Sequence, residues 1–179
     1  NNPIDIFKIW QGGMSFHGGL LGVIVATYLF SRNNKIETFI FLDIIACVAP
    51  IGLFFGRIAN FINGELFGKP SDHPWSVIFP NIDNIPRHPS QLYEAFLEGL
   101  ILFLILIFLA FNKRIRPGFC SAIFLIFYGL FRIIGEKFRE PDMQVGYIFD
   151  MFSLGSILSF FMIIAGLITF VKIKSYERT

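Results

Sequence analysis

The chain has 179 residues, of which 54% are hydrophobic, 24 are Phe and only 16% are charged. An ordinary soluble domain carries roughly 25% charged residues, so this balance excludes a typical soluble fold and points to a membrane protein. A formal net charge of +2 is too small to argue for nucleic acid as a partner.

Taken in chain order, the opening NNPIDIFKIW has no basic start leading into an apolar run and does not read as a signal peptide. With Asn1 in first place, it reads as part of a longer protein with further spans upstream. Five apolar segments come next. The first, about Gly18–Phe30, is short unless Met14–His17 extend it. The second, Ile36–Phe55, holds Glu37, Asp43 and Pro50. The third, Leu92–Phe111, is the cleanest. The fourth, Phe119–Gly135, carries Arg132 near its end, and the fifth, Ile148–Val171, carries Asp150 near its start. Most approach the roughly 20 residues that a helix needs to cross the hydrocarbon core. A soluble bundle would show polar stripes at helical period, and LILFLILIFLAF shows none. The expected architecture over 1–179 is all-α: one polytopic integral membrane domain of about five transmembrane helices. Cys47 and Cys120 both lie in apolar runs, without metal-ligand or CxxC spacing, and read as inert buried thiols. No metal or cofactor is implied.

Basic residues orient these segments. SRNNK, NKRIRPG and KIKSYERT hold eight Lys or Arg in 20 residues, whereas 1–16, 56–91 and 136–147 hold six in 64. The dense and sparse loops alternate, as five spans require. The positive-inside rule places the dense loops, and the C-terminus, in the cytoplasm.

Four polar constellations then share the outward level: GGMSFHGGLLG, GRIANFINGELFG, RHPSQLYE and FRIIGEKFREPD. Arg132, Glu136 and Arg139 fall on one helical face by spacing, and Arg57 and Asn60 are three apart. The structural reading pairs Arg132 with Glu136 and Arg57 with Glu65 as clips between helices. Four clusters at one depth argue for more, because an ionised group in hydrocarbon is costly unless it pairs or lines a wet cavity. His17, between Ser15 and Gly18–Gly19, is a packing residue or a proton carrier near neutral pH. Arginines beside it suit a phosphate-bearing lipid, since a guanidinium forks onto phosphate oxygens. His88-Pro89-Ser90 reads either as a helix start, with Glu94 just inside, or as a substrate contact. Trp75 and Phe79 fit an interfacial aromatic belt. A transporter with charges lining its pathway, or a lipid-binding subunit without chemistry, is the alternative class; matching broken repeats would mark a transporter and none is found.

The four motifs, in this order, resemble the bacterial prolipoprotein diacylglyceryl transferases over nearly the whole chain. The resemblance implies seven spans in a longer protein, so that this chain is a C-terminal piece. It implies a bacterial inner-membrane enzyme with its site on the outer face. Such an enzyme transfers the diacylglyceryl group of phosphatidylglycerol to the lipobox cysteine of a prolipoprotein and releases glycerol phosphate. The nucleophilic cysteine then belongs to the substrate. Carried over residue by residue, His17, Arg132 and Glu136 are expected to be catalytic. Arg57, Asn60, Glu65, Gly68, Arg139 and Tyr93 are expected to bind substrate, with Glu65 and Glu136 orienting the arginines. Either His17 or Arg132 assists the thiolate.

Overall fold

The computed structural model describes residues 16–112, 115–140, 147–148 and 152–175; the side chains of 16–21, 147–148, 152, 154 and 174–175 lie outside that set. The chain divides into two compact units, Asn1–Phe41 and Leu42–Thr179. In the first, helix α1 (Phe16–Asn34) covers the short apolar segment read from the sequence. Its end is closed by Lys35 at φ 54, with Ile36 N donating to Ser31 O at 3.0 Å. That six-to-one bond with a left-handed residue is the usual way to satisfy the last carbonyls of a helix.

In the second unit, α2 (Thr38–Asn63), which begins in the first, runs on past Pro50. A two-residue hairpin comes next, β1 (Val77–Ile78) against β2 (Pro86–Arg87). The third rod comprises α3 (Ser90–Glu94), a π-helical segment (Ala95–Ile101) and α4 (Leu102–Ala110). Then come α5 (Phe119–Glu136), the pair β3 (Tyr147–Ile148) and β4 (Phe152–Ser153), and α6 (Leu154–Ser175). Among the described residues four helices are long and apolar enough to cross a membrane: Thr38–Asn63, Ser90–Ala110, Phe119–Glu136 and Gly155–Ile173. The all-α membrane class therefore holds. The count differs from five because α1 is helical but not among these four.

A boundary also moves. The second apolar run ends at Phe55, yet α2 continues through Arg57 and Asn60 to Asn63. A charge ends an apolar run in the sequence, but it does not end a helix whose neighbours neutralise it. Asp43 has a similar explanation. Its Oδ2 accepts Gly118 N and its Oδ1 accepts Ser121 N, both at 2.7 Å, with Ser121 Oγ at 2.6 Å. A carboxylate from α2 thus caps the N-terminus of α5, where the helix leaves unpaired donors and a partial positive charge.

Glycines set the helix spacing. A Cβ on Gly129 would lie 2.7 Å from Ile163 Cγ1, and one on Gly166 would lie 2.7 Å from Ile126 Cγ1, so α5 and α6 pack at glycine distance. A Cβ on Gly99 would meet Phe54 Cβ at 2.6 Å, which joins the third rod to α2 in the same way. Leu102, Leu106 and Cys120 form the buried core. Facing outward, Phe108 and Phe111 are each 80% exposed, a surface suited to lipid rather than water.

Candidate functional site

Three of the four sequence constellations meet at the end of the bundle where α2 finishes. Gly64 (φ 70) and Leu66 (φ 55) turn the chain out of the helix. The segment then pairs with the residues just beyond α5: Lys69 N donates to Phe138 O at 2.9 Å, and Glu140 N to Phe67 O at 3.1 Å. Ser90 Oγ and Gln91 Nε2, at the start of the third rod, donate to Leu66 O and Glu65 O at 3.2 and 2.7 Å. Gly68 is fixed by this crossing, because a Cβ there would stand 2.3 Å from His88 O.

Below the crossing lies an ion-pair cluster built around one carboxylate. Glu94 has no exposed side-chain surface. Its Oε1 accepts Arg132 Nη1 at 2.6 Å and lies 3.8 Å from Arg139 Nη1, while its Oε2 is 3.0 Å from Arg57 Nε. Four residues further along, in the π-helical segment, the equally buried Glu98 accepts Arg57 Nη2 at 3.4 Å through Oε2. Arg132 also reaches Glu136 Oε2 through Nη2 at 2.9 Å. Three guanidiniums and three carboxylates thus cancel in formal charge, as burial requires. The cancellation is not a saturation. Among the described residues Glu98 Oε1 is buried with no hydrogen-bond partner, and the Oε2 atoms of Glu94 and Glu136 have close cations but no aligned hydrogen bond. Gly155 of α6 leaves room here: a Cβ would stand 3.3 Å from both Arg132 Nη2 and Glu136 Oε2.

Helical spacing pairs Arg132 with Glu136, and that pair is present. The sequence pairing of Arg57 with Glu65 is corrected: Arg57 is held by Glu94 and Glu98. The side chain of Glu65 is exposed, and among the described residues its backbone carries the contacts. Continuation of α2 to Asn63 aims Arg57 inward, at the third rod, while Glu65 lies beyond the helix end. Asn60 is half-buried on the same helix, and its carbonyl accepts Glu65 N at 2.8 Å. Arg139 is buried and joins the cluster through Glu94. His17 falls within α1, but its side chain lies outside the described residues. Sequence reasoning misses Glu94 and Glu98 as site residues. The signal is nonetheless present: two carboxylates at i and i+4 inside an apolar helix demand cations from other helices.

Tyr93 points elsewhere. It lines a cavity of about 400 Å³ with His73, Trp75, His88, Phe96 and Phe138. Trp75 Nε1 donates to Tyr93 Oη at 2.7 Å, and Tyr93 Oη lies 3.3 Å from His88 Nδ1. Burial pushes the His88 imidazole below its ordinary pKa, and the neighbouring His73 adds to that. Beside the cavity Arg87 grips Asp83, with Nη2 to Oδ2 at 2.6 Å, and Nη1 donates to Gly68 O at 3.1 Å and Glu140 Oε2 at 3.3 Å. Hydrogen bonding from Arg87 holds the Asp83 carboxyl below its usual range.

Comparison with known proteins assigns the chain's relations. Residues 1–172 match the family model described as prolipoprotein diacylglyceryl transferase. The phosphatidylglycerol–prolipoprotein diacylglyceryl transferase of Rickettsia felis is 59% identical over 168 residues, which is 93% of this chain and 65% of that protein. The protein of the same name from Rickettsia akari is 59% identical over 167 residues, covering 92% of this chain and 64% of the relative. That from Rickettsia bellii is 54% identical over 181 residues, covering all of this chain and 69% of the relative. The chain spans slightly less than two thirds of the length of the first two of these relatives and slightly more than two thirds of the third.

Proposed function

Because this chain belongs to the prolipoprotein diacylglyceryl transferase family, we propose that it carries the phosphate-binding half of a site that moves the diacylglyceryl group of phosphatidylglycerol to the lipobox cysteine of a prolipoprotein. One observation carries the reading: Arg57, Arg132 and Arg139 converge on Glu94 at the end of the membrane helices. Guanidiniums held in fixed orientation at that depth suit a phosphodiester. Glu94 sets the angles of Arg57 and Arg132, and Glu136 holds the second nitrogen of Arg132.

In the reaction the cysteine sulfur attacks the diacylglyceryl carbon. A carbon–sulfur bond forms as the bond from that carbon to the phosphate oxygen breaks, and the electron pair leaves with glycerol phosphate. The arginines stabilise the charge gathering on that oxygen. The thiol is a weak nucleophile and must lose its proton. His17 is assigned that proton, with Arg132 the second candidate to favour the thiolate. Asn60, Glu65 and Gly68 shape the crossing above the arginines, and Tyr93 serves the neighbouring aromatic cavity. Membership of the family assigns the protein to the bacterial inner membrane, and the basic-loop asymmetry assigns this end to the outside and the C-terminus to the cytoplasm.

The test is product mass. The protein as encoded in full, incubated with phosphatidylglycerol and a lipobox peptide, is expected to add a diacylglyceryl group to the peptide cysteine. Movement of labelled lipid across vesicles without that product would favour a transporter instead.

A further inference from the structure

Glu98 stands out in the arginine cluster. Its carboxylate is fully buried. It has one weak tie, Arg57 Nη2 at 3.4 Å, and one oxygen without a hydrogen-bond partner among the described residues. Glu94, by contrast, is held by all three arginines, two of them at 3.0 Å or less. An incoming anion that claims Arg57 therefore displaces Glu98 first, since that contact is the longest that Arg57 makes.

Charge makes the consequence definite. With three guanidiniums against the carboxylates of Glu94, Glu98 and Glu136, the cluster by itself is neutral. A phosphodiester brings one further negative charge into a site walled by apolar helices. A net charge there, next to a displaced carboxylate, costs several kcal/mol. One proton removes the imbalance. The charged and titratable groups that face Glu98 are Arg57 on α2, Glu94 on its own rod, and Arg132 and Tyr128 on α5; Glu136 and Arg139 act through Arg132 and Glu94. Of these, the arginines stay charged, Glu94 is tied by three cations and Glu136 keeps Arg132. Glu98 alone loses its partner when Arg57 turns to a ligand.

We propose that Glu98 is a proton-accepting positioning residue: it holds Arg57 before a ligand arrives, and takes up one proton as an anionic phospholipid headgroup replaces it. This rests on the reading of Arg57 as a phosphate-binding residue. Headgroup binding is then coupled to proton uptake, and product release to its return.

The experiment measures binding of short-chain phosphatidylglycerol to the full-length protein in phosphatidylcholine nanodiscs, between about pH 6 and pH 9. The wild type is expected to weaken with rising pH, approaching a tenfold rise in Kd per pH unit on the alkaline limb. Glu98→Gln should bind with a flat profile and more tightly than wild type at the alkaline end. Mixing in weak buffer with an indicator dye should report about one proton taken up per lipid bound by wild type on that limb, and none by Glu98→Gln. Asp83→Asn, which removes a carboxylate from the Arg87 site and leaves the cluster's charge unchanged, is expected to keep the wild-type slope, which separates the cluster from its surroundings even if the Glu98→Gln protein is less stable. A wild type that binds with no pH slope and no uptake overturns the proposal. So does a Glu98→Gln protein with an unchanged slope. Failure of wild type to prefer phosphatidylglycerol over phosphatidylcholine at any pH would overturn the phosphate reading itself.

Discussion

Two arginine sites lie at the same end of this molecule and are built on opposite principles. Around Arg87 one cation serves several acceptors: both oxygens of Asp83, the Gly68 carbonyl and Glu140, with the guanidinium 4.8 Å above the Phe67 ring. Its carboxylate partners reach water, Asp83 being 27% and Glu140 40% exposed. Around Glu94 the proportions invert, and three cations share one carboxylate sealed from solvent. At the first site every nitrogen of the guanidinium already has an acceptor from this chain. The second balances charge while leaving Glu98 Oε1 without a hydrogen bond among the described residues. A saturated knot stabilises a fold, whereas a neutral but incompletely bonded cluster is ready to exchange an internal anion for an external one.

The sharpest way to break that contrast is to change one arginine at each site. Arg57→Lys keeps the charge but loses the fork. Transfer is expected to fall about a hundredfold or more, the scale of losing one transition-state donor, with the thermal midpoint little changed. Arg87→Gln should do the reverse. It leaves Asp83 and Gly68 O without their donor and should cost about 2 kcal/mol of stability. Transfer per folded molecule should then stay within about threefold of wild type. Equal activity losses at both sites would erase the distinction.

A second comparison lies within the cluster. As a mere clip, Arg132 and Glu136 could be replaced together at little cost, since neither charge would be left unpaired. The structure changes that expectation, because Arg132 also bonds Glu94 at 2.6 Å. Arg132→Gln/Glu136→Gln should still assemble, with Glu94 keeping Arg57 and Arg139, and should lose transfer about as severely as Arg132→Gln alone. Glu136→Gln should cost roughly tenfold, because Arg132 loses one guide and stays charged. Near-normal transfer by the double variant would reduce the pair to packing.

How far the sequence foretells this depends on the residue. Membrane helices follow from hydropathy alone, and Arg132 with Glu136 follows from spacing along one helix. Partners across helices do not: nothing local links Arg57 to Glu94 and Glu98, the latter 41 positions away, so the nearer Glu65 looks like the partner. Glu94 and Glu98 are hidden by context, one reading as a helix-start acid and the other lost in the cleanest apolar run. Asp43 is legible only as an oddity until its role as a cap on α5 places it. Composition fixes which residues are costly to bury, and only packing shows what compensates them.

Gly155 offers a finer test, since it touches the cluster from outside. A methyl there would stand 3.3 Å from Arg132 Nη2 and Glu136 Oε2, close enough to shift both by a few tenths of an ångström. Gly155 lies in the first turn of α6, so Ala there gains less than the roughly 0.5–1 kcal/mol of replacing an interior helix glycine. The expected result is a split: stability equal to or above wild type, and transfer down by about threefold to tenfold. A gain in stability with full activity would mean that the arginine geometry tolerates displacement.

The smallest expected effect concerns pH, and it sets the aromatic cavity against the Arg87 knot. His88 Nδ1 lies 3.3 Å from Tyr93 Oη, which already accepts the Trp75 indole N–H. The tyrosine proton is therefore free to bond a neutral imidazole. Burial, and secondarily His73, holds the His88 pKa below its ordinary value. In the window just under about pH 6.5 the unfolded chain then binds a proton that the folded chain refuses. Stability falls as pH drops through that window and levels off below the folded pKa. Asp83 behaves differently. Its carboxyl is held low chiefly by Arg87, so its contribution persists through the histidine window and is lost only as pH falls through the carboxylate range towards its folded pKa. Thermal midpoints measured from neutral to acid pH should thus show an early step of a few degrees at most, followed by a later one. His88→Gln should remove the early step and leave the later, whereas Asp83→Asn should do the opposite. An early step that survives in His88→Gln would assign it to another group and leave the cavity without a titrating role.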